Sequence, residues 1–332
     1  MKVARFSIII LVPLLCGFCA GEAPTAEISN GQIQATFHLP DPDNGYYRGT
    51  RFEWSGIIQS LRYKDHEYFG VWFPVYDPKL HDAITGPVEE FRTRSEASVG
   101  FEQAKPGETF LRIGVGTLRK PDTKPYQIFG TYDIADPGKW TVDKGADRIR
   151  FTHELTDPVG YGYVYTKLVR LESDRPEMVI EHQLKNTGKL PIETLQYNHN
   201  FFVIDNQPTG PGVTVAFPFE ARASADLGDK AKVAGKKLTY KRELQKSESV
   251  YTEIHGFGAT AADYDFRIEN RKTGAGVRIV GDRPLAKLVF WSIRTTVCPE
   301  PYVDIRVAPG EETTWSIRYT FYTLNAAAGT DN

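Results

Sequence analysis

The chain has 332 residues, with 40 lysines and arginines against 42 aspartates and glutamates, and a formal net charge of −2. That balance gives no electrostatic hold on nucleic acid or on an anionic membrane surface. Aromatic residues make up 12% of the chain, which leans toward ligands with flat apolar faces, carbohydrates among them.

Lys2 and Arg5 precede an apolar run from Phe6 to Ala20 that ends in small residues. This is the layout of a secretory signal peptide, with cleavage expected after Ala20 or Gly21 and export to a bacterial periplasm. The run is too short, and too broken by Pro13, to span a membrane. Of the three cysteines, Cys16 and Cys19 fall in this leader. Cys298 alone remains, so no disulfide can form within the mature chain, and the fold must hold by its core. The remaining length is ample for one large domain.

In chain order, a strand is predicted from Glu27 to Leu39, followed by a Pro-Asp-Pro-Asp-Asn-Gly loop. Residues 57–63 and 67–73 read as a hairpin. Residues 81–92 read as a loop dense in ionisable groups, and 119–140 as a longer polar loop. Strands are then expected at 110–118, 148–155, 161–171, 178–185, 192–204, 250–255, 264–269, 276–280, 287–293, 302–307 and 313–322. The last is the clearest, with Thr313, Trp315, Ile317, Tyr319 and Phe321 on one face. No window sustains a helical apolar pattern over three turns. The expectation is an all-β chain: one large antiparallel β-sandwich over residues 24–324, with a disordered tail at 325–332.

Two stretches carry candidate chemistry. In Glu193–Asp205, period two places Leu195, Tyr197, His199, Phe201 and Val203 on one face, and Gln196, Asn198 and Asn200 on the other. A histidine between aromatics can exchange a proton near neutrality beside apolar walls. In the second stretch a strand is expected to end at Ile293. Glu300 then stands between Pro299 and Pro301, which would hold a carboxylate rigidly at a loop mouth.

The segment Glu181-His-Gln-Leu-Lys-Asn-Thr-Gly-Lys-Leu-Pro-Ile, followed by Tyr-Asn-His-Asn-Phe-Phe, resembles the aldose 1-epimerases, the galactose mutarotase-like proteins. Val297-Cys-Pro-Glu-Pro, followed by Val-Ala-Pro-Gly-Glu-Glu, is similar to the family's C-terminal Val-Cys-x-Glu loop. The resemblance covers about the last half of the chain and implies the family's β-supersandwich. It also implies His199 as general acid and Glu300 as general base on opposite sides of a sugar ring, with no metal and no other cofactor. The imidazole would then start protonated. The ligand implied is a monosaccharide or sugar derivative.

The family's His-Gly-Gly and Asp-His-Pro-Phe-type segments are absent from the first third. Arg51, His81, Glu89 and Arg92 stand there instead and are expected, with Tyr197, to line the pocket. Two arginines would suit an acidic sugar. A non-catalytic glycan-binding protein, or a polysaccharide lyase or hydrolase on the related sandwich, is the alternative reading. His38, His66, His153, His182 and His255 lie singly, without metal-ligand spacing.

Overall fold

The computed structural model describes residues 22–157 and 159–324. The expected leader at 1–20 and the expected tail at 325–332 lie outside them. Among the described residues the architecture is antiparallel β throughout, with single 3-10 turns at Ile204–Asn206 and Ala261–Asp263. The strands form a ten-stranded sheet, a six-stranded sheet and two smaller ones of four and three strands. No helix among the described residues is long and apolar enough to cross a membrane.

Period-two burial builds the core. In Gly162–Leu171, the residues Tyr163, Tyr165, Lys167, Val169 and Leu171 are buried while their neighbours are half-exposed. In Glu312–Thr323 the buried set is Trp315, Ile317, Tyr319 and Phe321. One hydrophobic cluster joins the apolar members of these two sets to Phe290, Val303 and Ile305 of the six-stranded sheet. That is the interior of the sandwich.

The structure corrects several sequence boundaries. The predicted strand 27–39 is two, Thr25–Ser29 and Ile33–His38, separated by a turn with Gly31 at φ +83°. The region 110–118 also turns back on itself, giving Thr109–Arg112 and Gly116–Arg119. The second arm of the early hairpin shrinks to His66–Glu67. The ionisable loop 81–92 contains an edge strand of the six-stranded sheet, Val88–Arg92.

The correction that bears on chemistry concerns Glu300. It lies within a twelve-residue strand, Thr296–Val307, and not at a loop mouth. This strand is internal to its sheet, between Lys287–Ile293 and Ile192–His199. Prolines are rare in such a place because they cannot donate to the ladder, which is why the sequence suggests a loop.

The register shows how the prolines are tolerated. The two strands pair from Ile192 with Val307 to Tyr197 with Tyr302. Beyond a gap, Phe202 and Val297 exchange backbone hydrogen bonds in the same register. Counting back by twos, Pro299 and Pro301 occupy positions whose amides would donate across this ladder. The ladder therefore stays open between Tyr197 and Phe202. The Asn200 side chain partly fills the gap by donating Nδ2–H to the Pro299 carbonyl at 2.7 Å.

Candidate active site

In the opened stretch, His199 stands directly across from Glu300, at a position where facing side chains come closest. Residues 101 places apart in sequence thus become cross-strand neighbours. His199 Nε2 lies 3.3 Å from Glu300 Oε1, and the residues are 5% and 6% exposed. They sit side by side on the outward face of the six-stranded sheet. Both groups rise from one sheet face, whereas the resemblance implies one on either side of a sugar ring.

The imidazole is fixed on every side. The Phe201 ring stacks on it at 3.8 Å and 11°, and Trp72 stacks on Phe201 at 4.5 Å. Phe52 and Trp291 meet it edge-on at 5.6 and 5.5 Å. Nδ1 contacts the buried Cys298 thiol at 2.6 Å, and the Phe201 amide donates to the same sulfur at 3.3 Å. Phe201 reaches this position with φ +38°, a conformation that costs an aromatic residue energy and is found where a site demands it. Gly86 permits the close approach beneath. A Cβ there would lie 2.5 Å from the Asn200 carbonyl oxygen and 2.9 Å from Phe201 Cβ.

Beside this pair lies a buried cluster of charge centred on Glu90. Arg92 donates to Glu90 through Nε at 2.6 Å and Nη2 at 2.7 Å. Arg51 Nε and Arg112 Nη2 donate to it at 3.0 and 2.8 Å, as does the Tyr197 hydroxyl. Burial alone would raise the Glu90 carboxyl, but Arg92, Arg51 and Arg112 outweigh it and hold it well below the usual range.

Glu300 lacks such cations at hydrogen-bonding distance. Burial pushes it up to about 8, with Arg51 and Arg92 only partly opposing. Burial, followed by the fields of Arg51 and Arg92, drives His199 well below its ordinary value. Both shifts favour the uncharged forms, a protonated Glu300 carboxyl beside a neutral imidazole. Both directions run against the protonated imidazole expected from sequence. Burial also pushes the Cys298 thiol up, so it stays protonated.

The pair opens into a cavity of about 370 Å³, within the range of small-molecule sites. Arg51, Asp82, Arg92 and Phe129 contribute to its walls, with Trp72, Phe201 and Trp291 as aromatic surfaces. Of the residues expected there, Arg51 and Arg92 do line it. Tyr197 is fully buried beneath and acts on the site through Glu90 and Arg92. His81 is not among the lining residues, and its neighbour Asp82 takes that place, paired with Arg51.

Glu89 points the other way. It faces the sandwich interior, where it contacts Lys167, His182 Nε2 at 3.0 Å and Asn198 Nδ2 at 2.9 Å. Glu90, the next residue, is fully buried and reaches the cavity only through Arg51 and Arg92. Glu90 and Arg92 share one face of Val88–Arg92, and period two would have assigned them together had the segment been read as a strand.

His199, Cys298 and Glu300 form the one group of potential metal ligands of this kind among the described residues. One ligand atom from each of the three lies within 4.8 Å of the others. Cys298 contacts Nδ1 and Glu300 contacts Nε2, on different edges of the imidazole.

No protein-family model and no curated protein matches this chain. Solved structures do. A GalM/aldose epimerase homologue from C. elegans superposes with a TM-score of 0.55 at 13% identity, over 91% of this chain and 100% of that one. A galactose mutarotase related enzyme from Lactobacillus acidophilus gives 0.52 at 15%, over 91% and 99%. A galactose mutarotase-like protein from Clostridium acetobutylicum gives 0.52 at 12%, over 91% and 99%. The chain has the galactose mutarotase-like β-sandwich fold.

Proposed function

We propose that this protein is a mutarotase, interconverting the anomers of a sugar by opening and closing its ring, and that it acts after export. The observation that carries the reading is the 3.3 Å contact of His199 Nε2 with Glu300 Oε1 at the floor of a ring-sized cavity. The two oxygens that exchange protons in mutarotation, the C1 hydroxyl and the ring O5, are bonded to the same carbon. Two groups side by side can serve both without facing each other across the ring.

The resting protonation sets the direction of the first step. Imidazole accepts the C1 hydroxyl proton as C1=O forms, the C1–O5 bond breaks, and O5 takes the proton of Glu300. The product is the open aldehyde beside an imidazolium–carboxylate pair. After rotation about C1–C2, O5 attacks the other face of the carbonyl. Glu300 then recovers the O5 proton, His199 returns its proton to O1, and the pair is reset. The roles are the reverse of those implied by the resemblance, although the same single proton is shared.

Anomer exchange measured by NMR on a panel of aldoses and uronates tests the reading. Exchange above the uncatalysed rate, lost in Glu300→Gln, supports it. A folded protein that accelerates none of them contradicts it.

A further inference from the structure

The floor carrying the candidate pair continues beyond it. Cys298 pairs with Trp291, and Trp291 with Tyr251. These three therefore form one row on the same face of the sheet as Glu300, which pairs with Val289. Tyr251 lies on Ser249–His255, two strands from the strand of Glu300, and only the two-residue strand Arg222–Ala223 lies beyond. At about 4.8 Å per strand, the row runs outward for roughly 10 Å, about the length of two pyranose rings. Tyr251 is 58% exposed at its end and still lines the cavity, as Trp291 does. In the opposite direction His199 is followed by the buried Val88, its pairing partner, and flanked by the buried Phe52.

The charges of this cavity are paired among themselves. Arg51 is held by Asp82 and Glu90, and Arg92 by Glu90 and Glu96. Lys287 lies 3.2 Å from Glu96 and 3.4 Å from Glu253. No lining arginine or lysine is left to meet a carboxylate on the ligand. Paired charges and aromatic faces suit hydroxyl groups and the C–H faces of neutral rings.

We propose that the site takes the reducing end of an uncharged oligosaccharide, with the second ring over Trp291 and the third reaching Tyr251. This rests on the mutarotase reading, because that reaction needs a free C1 hydroxyl and so fixes which terminus enters. C4 lies across the ring from C1. A terminal ring with C1 over His199 and Glu300, and its long axis along the row, directs a 4-linked chain toward Trp291 and Tyr251.

Tryptophan fluorescence provides a binding readout independent of turnover, because Trp72 and Trp291 both line the cavity. The intact protein is titrated with glucose, maltose, maltotriose, cellobiose, cellotriose and trigalacturonate. A neutral trisaccharide should bind about tenfold more tightly than glucose, the worth of one good aromatic contact. Tyr251→Ala should remove that gain, Tyr251→Phe should keep it, and trigalacturonate should bind no more tightly than the neutral trimers. Equal affinities for glucose and every neutral trimer, a gain that survives Tyr251→Ala, no binding at all, or a tenfold preference for trigalacturonate each overturns the proposal. Tight trimer binding that follows this pattern, with no anomer exchange, would overturn the mutarotase reading and leave the outer subsites standing.

Discussion

Two buried clusters of charge lie on opposite faces of the same strands. On the inner face, Lys167 contacts Glu53 and Glu89, and Glu89 also contacts His182 and Asn198. On the outer face, Glu90 gathers Arg51, Arg92, Arg112 and Tyr197. Both satisfy their carboxylates, and both are structural. Glu300 shares the outer face with Glu90, and its one polar contact among the described residues is an imidazole that is itself pushed toward neutrality. An acid left without a cation partner can keep a proton near pH 7, whereas an acid surrounded by arginines cannot. The candidate catalytic carboxyl is thus the one the fold leaves least compensated.

Removing either reacting group should have the largest effect. His199→Ala and Glu300→Gln should each slow anomer exchange by roughly 10²–10⁴-fold, the usual worth of a general acid or base, with circular dichroism unchanged. A variant with full activity would remove that residue from the mechanism. Lys167→Met should act on stability instead. It leaves Glu53 and Glu89 buried without their cation, at a cost of about 3–5 kcal/mol in denaturant unfolding. If stability does not change, the inner cluster is not the support described.

Glu300→Gln should also stabilise the fold. Glu300 is raised from 4.5 to about 8 in the native protein, so the unfolded chain releases its proton first. The contribution of this group to native stability therefore falls as pH rises from 4.5 to 8. At pH 7 the cost is about 3 kcal/mol, from 2.5 pKa units at 1.36 kcal/mol each. The variant should gain about that much at pH 7 and nothing below pH 4. Equal stability of wild type and variant across this range would contradict the assignment. Wild-type anomer exchange should decline above pH 8 as the donor ionises.

The smallest effect belongs to Cys298. Cys298→Ala removes the partner of Nδ1 and should slow exchange by about tenfold, the worth of one hydrogen bond. Cys298→Ser should restore most of the rate, because a hydroxyl can also pair with Nδ1. If neither substitution changes the rate, the thiol is only packing.

Much of the architecture was legible because buried strands in this chain keep strict alternation, as at 162–171 and 312–323. Local motifs singled out His199 and Glu300, which the structure brings to 3.3 Å of each other. Their spatial relation was not legible, because Pro299 and Pro301 read as a loop when they in fact open one ladder inside a sheet. Glu89 was expected in the pocket for a related reason, since no face can be assigned until a segment is known to be a strand. Trp72 and Trp291 carried no sequence signal, as they converge on His199 only through tertiary packing.

The most direct test is the ionisation of the Glu300 carboxyl itself, followed by ¹³C NMR of side-chain-labelled protein with Glu300→Gln as the assignment control. A protonated signal persisting through neutrality and titrating near pH 8 is the predicted result. A carboxylate already ionised at pH 6, beside a protonated His199, would contradict it.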